Sequence, residues 1–423
     1  MNRELTLARH QSLVVVGASL AGLRAVEAAR QEGFEGKIVL IGDEPHLPYD
    51  RPPLSKAFLE GRVSETTHRD LPTLVDQLGI DLRLGSTATR LDVGHKEITT
   101  TSATIGYDRL IIATGSCART IDSSAQVSGV HVLRTKDDAA AIRDAVAPGS
   151  RVVVLGGGFI GAEVASACHK LGADVSIIEA ADVPLVRAVG AQLGATLAQL
   201  HGRHGVSLRT GVAVQEVLGH PDVRAVRLTD GTDMPADLVV VGIGAMPATS
   251  WLRGSGVRLH PRDGGVVCDE HLATSVPDVW AAGDVAHWPN LTLGVTARLE
   301  NWTNAAQQGA HAARNALRRQ PSPFGTVPYY WSDWYGHRIQ FVGVPDADEV
   351  RCSGSLEAGR LIAVYRKGTR LAGALAVNEP GRIMKLRAMI AAQTPWSDAL
   401  AFARRSAATS TASGRRAEVP LPP

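Results

Sequence analysis

Leu13-Val14-Val15-Val16-Gly17-Ala18-Ser19-Leu20-Ala21-Gly22 is the stretch that decides how the rest of this chain is read. Its apolar, β-branched start reads as a buried parallel strand. Gly17 lets the chain turn tightly, Leu20 to Arg30 reads as the helix that follows, and Gly22 lets that helix pack close to the strand. This is the layout of a dinucleotide fingerprint, in which a pyrophosphate rests on backbone N–H groups at a helix N-terminus. The middle glycine is replaced by Ser19, so this copy carries little weight alone.

Working outward, Lys37 to Ile41 reads as a second strand that runs into Gly42-Asp43-Glu44. A carboxylate there can accept hydrogen bonds from an adenosine ribose, and Asp43 lies 21 residues past Gly22, close to the expected interval of about 20. Beyond the break at Pro148-Gly149 the pattern returns intact. Arg151 to Leu155 reads as a strand, and Gly156, Gly158 and Gly161 supply all three glycines around Phe159 and Ile160. Asp174 to Ile178 then ends in Glu179, 18 residues past Gly161. A carboxylate at Glu179 favours the ribose diol of NADH and repels the 2′-phosphate of NADPH; the nearest arginine, Arg187, is eight residues on. Two apolar strands end in small residues that let backbone approach a cofactor closely, at Ala113-Thr114-Gly115 and at Gly242-Ile243-Gly244. Two such units imply two dinucleotides.

Between the first ribose acid and the rest lies Pro48-Tyr49-Asp50-Arg51-Pro52-Pro53-Leu54-Ser55-Lys56, whose prolines hold the backbone on either side of Arg51. The phrase "PYDRPPLSK" after "VLIGDE", together with "GGGFIGAE", "AAGD" at Ala281–Asp284 and "YYWSD" at Tyr329–Asp333, resembles the FAD-dependent ferredoxin reductases of the putidaredoxin reductase and dioxygenase-reductase type. The resemblance covers about residues 12 to 400. It implies an α/β fold with two Rossmann-like, glutathione-reductase-like domains and a C-terminal α+β domain. The expected boundaries are 1–118 with 245–323 for FAD, 119–244 for NAD, 324–405 for the C-terminal domain, and 406–423 as a disordered tail.

Carried over residue by residue, the resemblance implies FAD contacts from Gly17, Ser19, Ala21, Gly22, Asp43, Glu44, Arg51, Lys56, Ala88, Ala113, Thr114, Gly115, Arg134, Gly283, Asp284 and Trp302. It implies NAD contacts from Gly156, Gly158, Phe159, Ile160, Gly161, Glu163, Glu179, Gly242, Ile243, Gly244 and Glu300. Lys56 and Trp302 would lie by the flavin and Glu163 by the nicotinamide carboxamide, the nearest this chain comes to catalytic residues. The implied activity is hydride transfer from NADH to FAD, then single electrons to an iron–sulfur ferredoxin that serves a haem-thiolate (cytochrome P-450 type) monooxygenase or a Rieske oxygenase. Holding the two rings against each other supplies most of what hydride transfer needs. Rival readings are a flavin NADH oxidase on the same fold and an NADH-binding signalling flavoprotein of low turnover. A redox-cysteine reductase is disfavoured because Glu44 to Lys56 contains no cysteine.

The composition is that of a globular chain of two or three domains: 423 residues, 44 basic against 42 acidic, and a mean hydropathy near zero. A net charge of +2 argues against a general nucleic-acid binder, and the absence of any apolar run of about 18 residues argues against a membrane span. Met1 to Ser12 lacks the apolar core of a secretion signal, which points to the cytoplasm. Cys117, Cys168, Cys268 and Cys352 have no metal-ligand or C-x-x-C spacing, so no protein-bound metal is expected. Three local expectations complete the reading. Ile80–Leu84 and Lys96–Thr101 should be strands of a meander. Thr303 to Leu317 should be a helix. Arg314, Arg318 and Arg319, or Arg382, Lys385 and Arg387, offer charge that could steer an acidic ferredoxin.

Overall fold

The computed structural model describes residues 8, 10–121 and 127–409, with side chains through 404. Two compact units result: residues up to 186 with 191–328, and residues 187–190 with 329 onward.

The first unit is built on two parallel five-stranded sheets of matching order. In one, the strands run Val279–Ala281, Arg109–Ile112, Ser12–Val16, Lys37–Ile41, Ile80–Arg83. In the other they run Ser207–Arg209, Asp174–Ile178, Arg151–Leu155, Leu238–Val241, Val130–Val132. The opening strand of each fingerprint is central, with neighbours on both sides, so its apolar residues are buried on both faces: Leu13, Val14 and Val15 are inaccessible, and Val152, Val153 and Val154 nearly so. At roughly 2 kcal/mol for each such side chain, these cores are large stabilising terms. Each sheet also carries a three-stranded antiparallel meander, Ala88–Asp92 to Thr104–Gly106 in the first half and Val214–Leu218 to Asp233–Pro235 in the second. The strand Val279–Ala281 joins the first sheet only after the chain has passed through the second. The outgoing and returning segments pair antiparallel at Ser116–Ala118 and Ala245–Pro247.

Two expectations change and a third gains a constraint. Ile80–Arg83 belongs to the parallel sheet, in register with Ile38–Ile41, and of the two expected strands Glu97–Thr100 alone lies in the meander. A four-residue strand of mixed polarity carries no mark of its partner; the tertiary register supplies it. Arg314 and Arg318 both reach Glu32, at 3.3 and 2.7 Å, and tie the helix Trp302–Leu317 to the end of Leu20–Gln31. Part of their charge therefore offsets a glutamate that is only 4 % exposed. Helix Trp396–Thr409 runs into the stretch expected to be a disordered tail, and 410–423 lie outside the described residues.

The second unit is an antiparallel sheet ordered Tyr329–Trp334, His337–Gly343, Arg370–Val377, Arg360–Lys367, Glu349–Ser355, with helices Pro380–Ala391 and Trp396–Thr409. Trp334, Phe341 and Tyr365 are its largest buried side chains. The hydroxyls of Tyr330 and Tyr365 donate to the carbonyls of Ala188 and Val189, at 2.7 and 2.6 Å, which explains why residues 187–190 belong with it. Arg382 donates to the carbonyls of Phe402 and Ala403, and Arg387 lies over the Tyr329 ring, so both cations are engaged within this unit.

Candidate active site

Both fingerprints close around contacts that only glycine allows. Gly17 has φ +117°, and a Cβ there would lie 2.1 Å from the Ala113 carbonyl oxygen; a Cβ on Gly22 would lie 1.9 Å from that of Gly17. In the second copy Gly156 has φ +103° and would meet the Gly242 carbonyl at 2.4 Å, while Gly161 would meet that of Gly156 at 2.0 Å. Helix and strand are thus packed backbone to backbone in each. Ser19 caps the first helix without a side-chain capping bond, and Gly158 caps the second with open space around its α-carbon. Leu20 and Ala21 open the first helix and Phe159 and Ile160 the second, so each helix N-terminus, the positive end of its dipole, lies at its turn. Ile160 and Ile243 flank the second turn at 48 % and 42 % exposure, apolar surface of the kind a bound nucleotide covers.

The two strand-end acids are held differently. Asp43 is exposed and accepts the Glu44 N–H, whereas Glu44 is tied by side chains: Arg51 Nη2 donates to Oε1 at 2.6 Å and the Tyr49 hydroxyl to Oε2 at 2.5 Å. Burial lifts the Tyr49 phenol well above its ordinary range, so it stays a protonated donor. Arg51 also donates to Ser19 Oγ at 3.3 Å and to the Arg134 carbonyl at 2.5 Å, joining four separate segments. Glu179 instead accepts two backbone N–H groups, Gly157 at 2.8 Å and Ala181 at 2.9 Å.

Around the first turn, Asp284 Oδ2 accepts from Arg134 Nη2 and Ser116 Oγ, each at 3.3 Å, and Gly115 abuts Arg134. The Gly283 N–H donates to the fully buried Gln308, and Thr114 Oγ1 to the Ala248 carbonyl. Arg298 Nη1 donates both to the Asp284 carbonyl and to Glu300 Oε1. Gly244 approaches Arg119 across the paired crossover strands. Ala88 is placed differently, on a meander strand where it packs against the first apolar core.

The three residues nearest to catalytic roles fall into two linked pairs. Lys56 Nζ lies 2.7 Å from Glu163 Oε2, in an ion pair whose carboxylate is 5 % exposed. Trp302 Nε1 donates to Asp50 Oδ1 at 2.6 Å. Lys56 and Asp50 come from one proline-rigid segment, Glu163 from the second fingerprint helix and Trp302 from the helix Trp302–Leu317. The segment thus gathers groups 107 and 252 residues away in sequence. Asp50, Ser55, Ser116 and Gln308 were not singled out from sequence. Ser55 and Asp50 adjoin Lys56 and Arg51, but Gln308 has no local signal at all.

All four cysteines are free thiols, and burial pushes Cys168 up to about 12 and Cys268 higher still. His260, Asp263 and His287 also cluster, but the two rings stack 3.9 Å apart at 12°, each Nδ1 facing one oxygen of the shared carboxylate. The Asp263 carboxylate thereby partners both imidazoles.

Residues 11–309 match the family described as pyridine nucleotide-disulphide oxidoreductase, and residues 329–408 match a reductase C-terminal domain. The chain belongs to the pyridine nucleotide-disulphide oxidoreductase family. It is 39 % identical over 363 residues to the biphenyl dioxygenase system ferredoxin–NAD(+) reductase component of Paraburkholderia xenovorans, covering 84 % of this chain and 86 % of that one. Rhodocoxin reductase of Rhodococcus erythropolis is 36 % identical over 91 % of this chain and 90 % of its own. Among solved structures, the covalent putidaredoxin reductase–putidaredoxin complex matches at TM-score 0.89 and 30 % identity, over 96 % of this chain and all of the other. As a pyridine nucleotide-disulphide oxidoreductase the chain works with FAD and NADH, and two open helix N-termini with glycine-tight turns fit two dinucleotides. Its lack of paired cysteines sets it apart from the disulphide chemistry in the family's name. Among the described residues no helix is long and apolar enough to cross a membrane.

Proposed function

We propose that this chain is an NADH-dependent, FAD-containing ferredoxin reductase, and that the ferredoxin it reduces feeds a haem-thiolate monooxygenase or a Rieske oxygenase. The observation that carries the reading is the Lys56–Glu163 ion pair, which joins the segment following the first fingerprint to the helix of the second. A pair at that junction suits a site where two dinucleotide rings meet. Similarity over 84 % of this chain to a dioxygenase-system reductase, and over 96 % to a reductase solved in complex with putidaredoxin, supports the same activity.

In this reading Gly17 and Gly22 keep the turn tight against the strand, Ser19 and Ala21 present backbone N–H groups to the FAD pyrophosphate, and the Asp43–Glu44 corner takes the ribose, braced by Arg51. Asp284, oriented by Arg134 and Ser116, takes the polar chain, while Lys56 and Trp302 border the ring. When bound, FAD would supply the chemistry that converts the hydride of NADH into single electrons for the iron–sulfur partner. The residues themselves orient and tune. The Lys56 ammonium favours negative charge on its neighbour. Glu163 keeps that ammonium in place and offsets its charge between turnovers. Asp50 fixes the rotation of the Trp302 indole. Glu179, held by two N–H groups, meets a ribose diol and repels a 2′-phosphate, which supports NADH.

The test is a reductase assay with both pyridine nucleotides against a panel of purified ferredoxins, with oxygen and cytochrome c as control acceptors. NADH oxidation stimulated at least tenfold by a ferredoxin is expected. Fast turnover with oxygen that no ferredoxin stimulates would instead identify an NADH oxidase. Reconstitution with a haem-thiolate or a Rieske terminal enzyme then decides between the two acceptor systems.

A further inference from the structure

We infer that Ser55 is a positioning residue for the hydride-transfer site, acting through Glu163; this rests on the ferredoxin reductase reading above. The Ser55 hydroxyl donates to Glu163 Oε2, the same oxygen that takes the Lys56 ammonium. Ser55 Oγ in turn lies 3.5 Å from Lys56 Nζ, which also donates to the Pro52 carbonyl at 3.1 Å. Ser55 and Glu163 are 6 % and 5 % exposed, so water cannot replace the hydroxyl if it is removed. The turn Pro52–Ser55 has prolines at its first two positions, which pre-set the backbone and leave the serine little freedom.

The consequence is geometric. A lysine alone holds a glutamate loosely, because an ammonium has no preferred direction and sits on a flexible stem. A serine hydroxyl anchored on a rigid turn supplies direction, and hydrogen bonds to a charged acceptor are the stronger kind. Ser55 therefore selects one rotamer of Glu163 and, through it, the place of the Lys56 charge. It touches neither dinucleotide in this scheme. Its loss should slow the step that depends on placement while leaving cofactor retention alone.

A double-mutant cycle tests this, using the FAD-loaded wild type, Ser55→Ala, Glu163→Ala and the double variant. For each, FAD stoichiometry, melting temperature, visible circular dichroism of the flavin and NAD+ binding by calorimetry are measured, followed by stopped-flow flavin reduction by NADH. Ser55→Ala is expected to keep full FAD and to bind NAD+ within twofold of wild type. Its saturating reduction rate should fall at least fivefold with little change in half-saturation, and its flavin dichroism should change. In the Glu163→Ala background, Ser55→Ala should change the rate less than twofold. Equal fivefold losses in both backgrounds, a wild-type rate in Ser55→Ala, or loss of FAD from that variant would each overturn the proposal. A wild type that NADH does not reduce would remove the reductase reading as well, so the two failures are distinct.

Discussion

The two dinucleotide units of this chain share a backbone and differ in what holds their polar groups. Both turns have a left-handed first glycine, and in both the glycine five residues on lies against the carbonyl of the first, so the packing of strand on helix is the same. In the first, side chains do the holding. Arg51 spans Ser19, Tyr49, Glu44 and the Arg134 carbonyl, and Asp284 is fixed by Arg134 and Ser116. In the second, the acid is held by backbone N–H groups alone, the middle position is a bare glycine, and isoleucines on either side stand exposed. A closed mesh of side chains resists opening, whereas a site walled by backbone and exposed apolar surface admits and releases a ligand without breaking a network. That contrast suits one dinucleotide that stays and one that exchanges.

The largest way to break the parallel is at its shared packing. Gly22→Ala and Gly161→Ala each place a methyl within about 2 Å of a carbonyl oxygen, and each should cost about 3 kcal/mol or prevent folding, read as a lowered melting temperature. Gly158→Ala, with open space, should leave the melting temperature unchanged and only raise the NADH half-saturation; equal destabilisation by all three would sink the distinction. Next in size, Lys56→Met removes the cation beside a buried carboxylate, and stopped-flow reduction by NADH should slow on the order of a hundredfold with FAD retained. A wild-type rate there would remove Lys56 from the chemistry. Glu179→Ala should cut the preference for NADH over NADPH about tenfold, measured as the ratio of kcat/KM values, because charge-assisted bonds to the ribose are lost while repulsion of a 2′-phosphate ends. The smallest effect is expected at the first turn, where Ser19→Val should weaken FAD retention a few-fold in dialysis against bromide. Undiminished flavin would mean that the pyrophosphate does not rest there.

Much of this was readable in the linear chain because the features are local. The strand Lys37–Ile41 and the strand Asp174–Ile178 begin and end where apolar runs meet turn residues, and the fingerprint helices start within a residue of their glycine turns. Hydrophobic period and glycine spacing act over ten or twenty residues, which is the range a sequence displays directly. Ile80–Arg83 shows the limit: its strand character is local, but its place beside Ile38–Ile41 is not. Arg314 and Arg318 show it again, since basic residues at a helix end look solvated until Glu32 is found beneath them.

By itself, then, the sequence determined that the fold has two dinucleotide units, where each turn lies, and which acids stand at the strand ends. Only the tertiary structure decided that Lys56 pairs with Glu163, that Asp50 orients Trp302, and that Arg51 unites four segments in one mesh. The reason is physical: backbone conformation follows from short-range sterics and periodic burial, whereas a buried charge takes whichever partner the packed sheets bring within about 3 Å, at any distance along the chain.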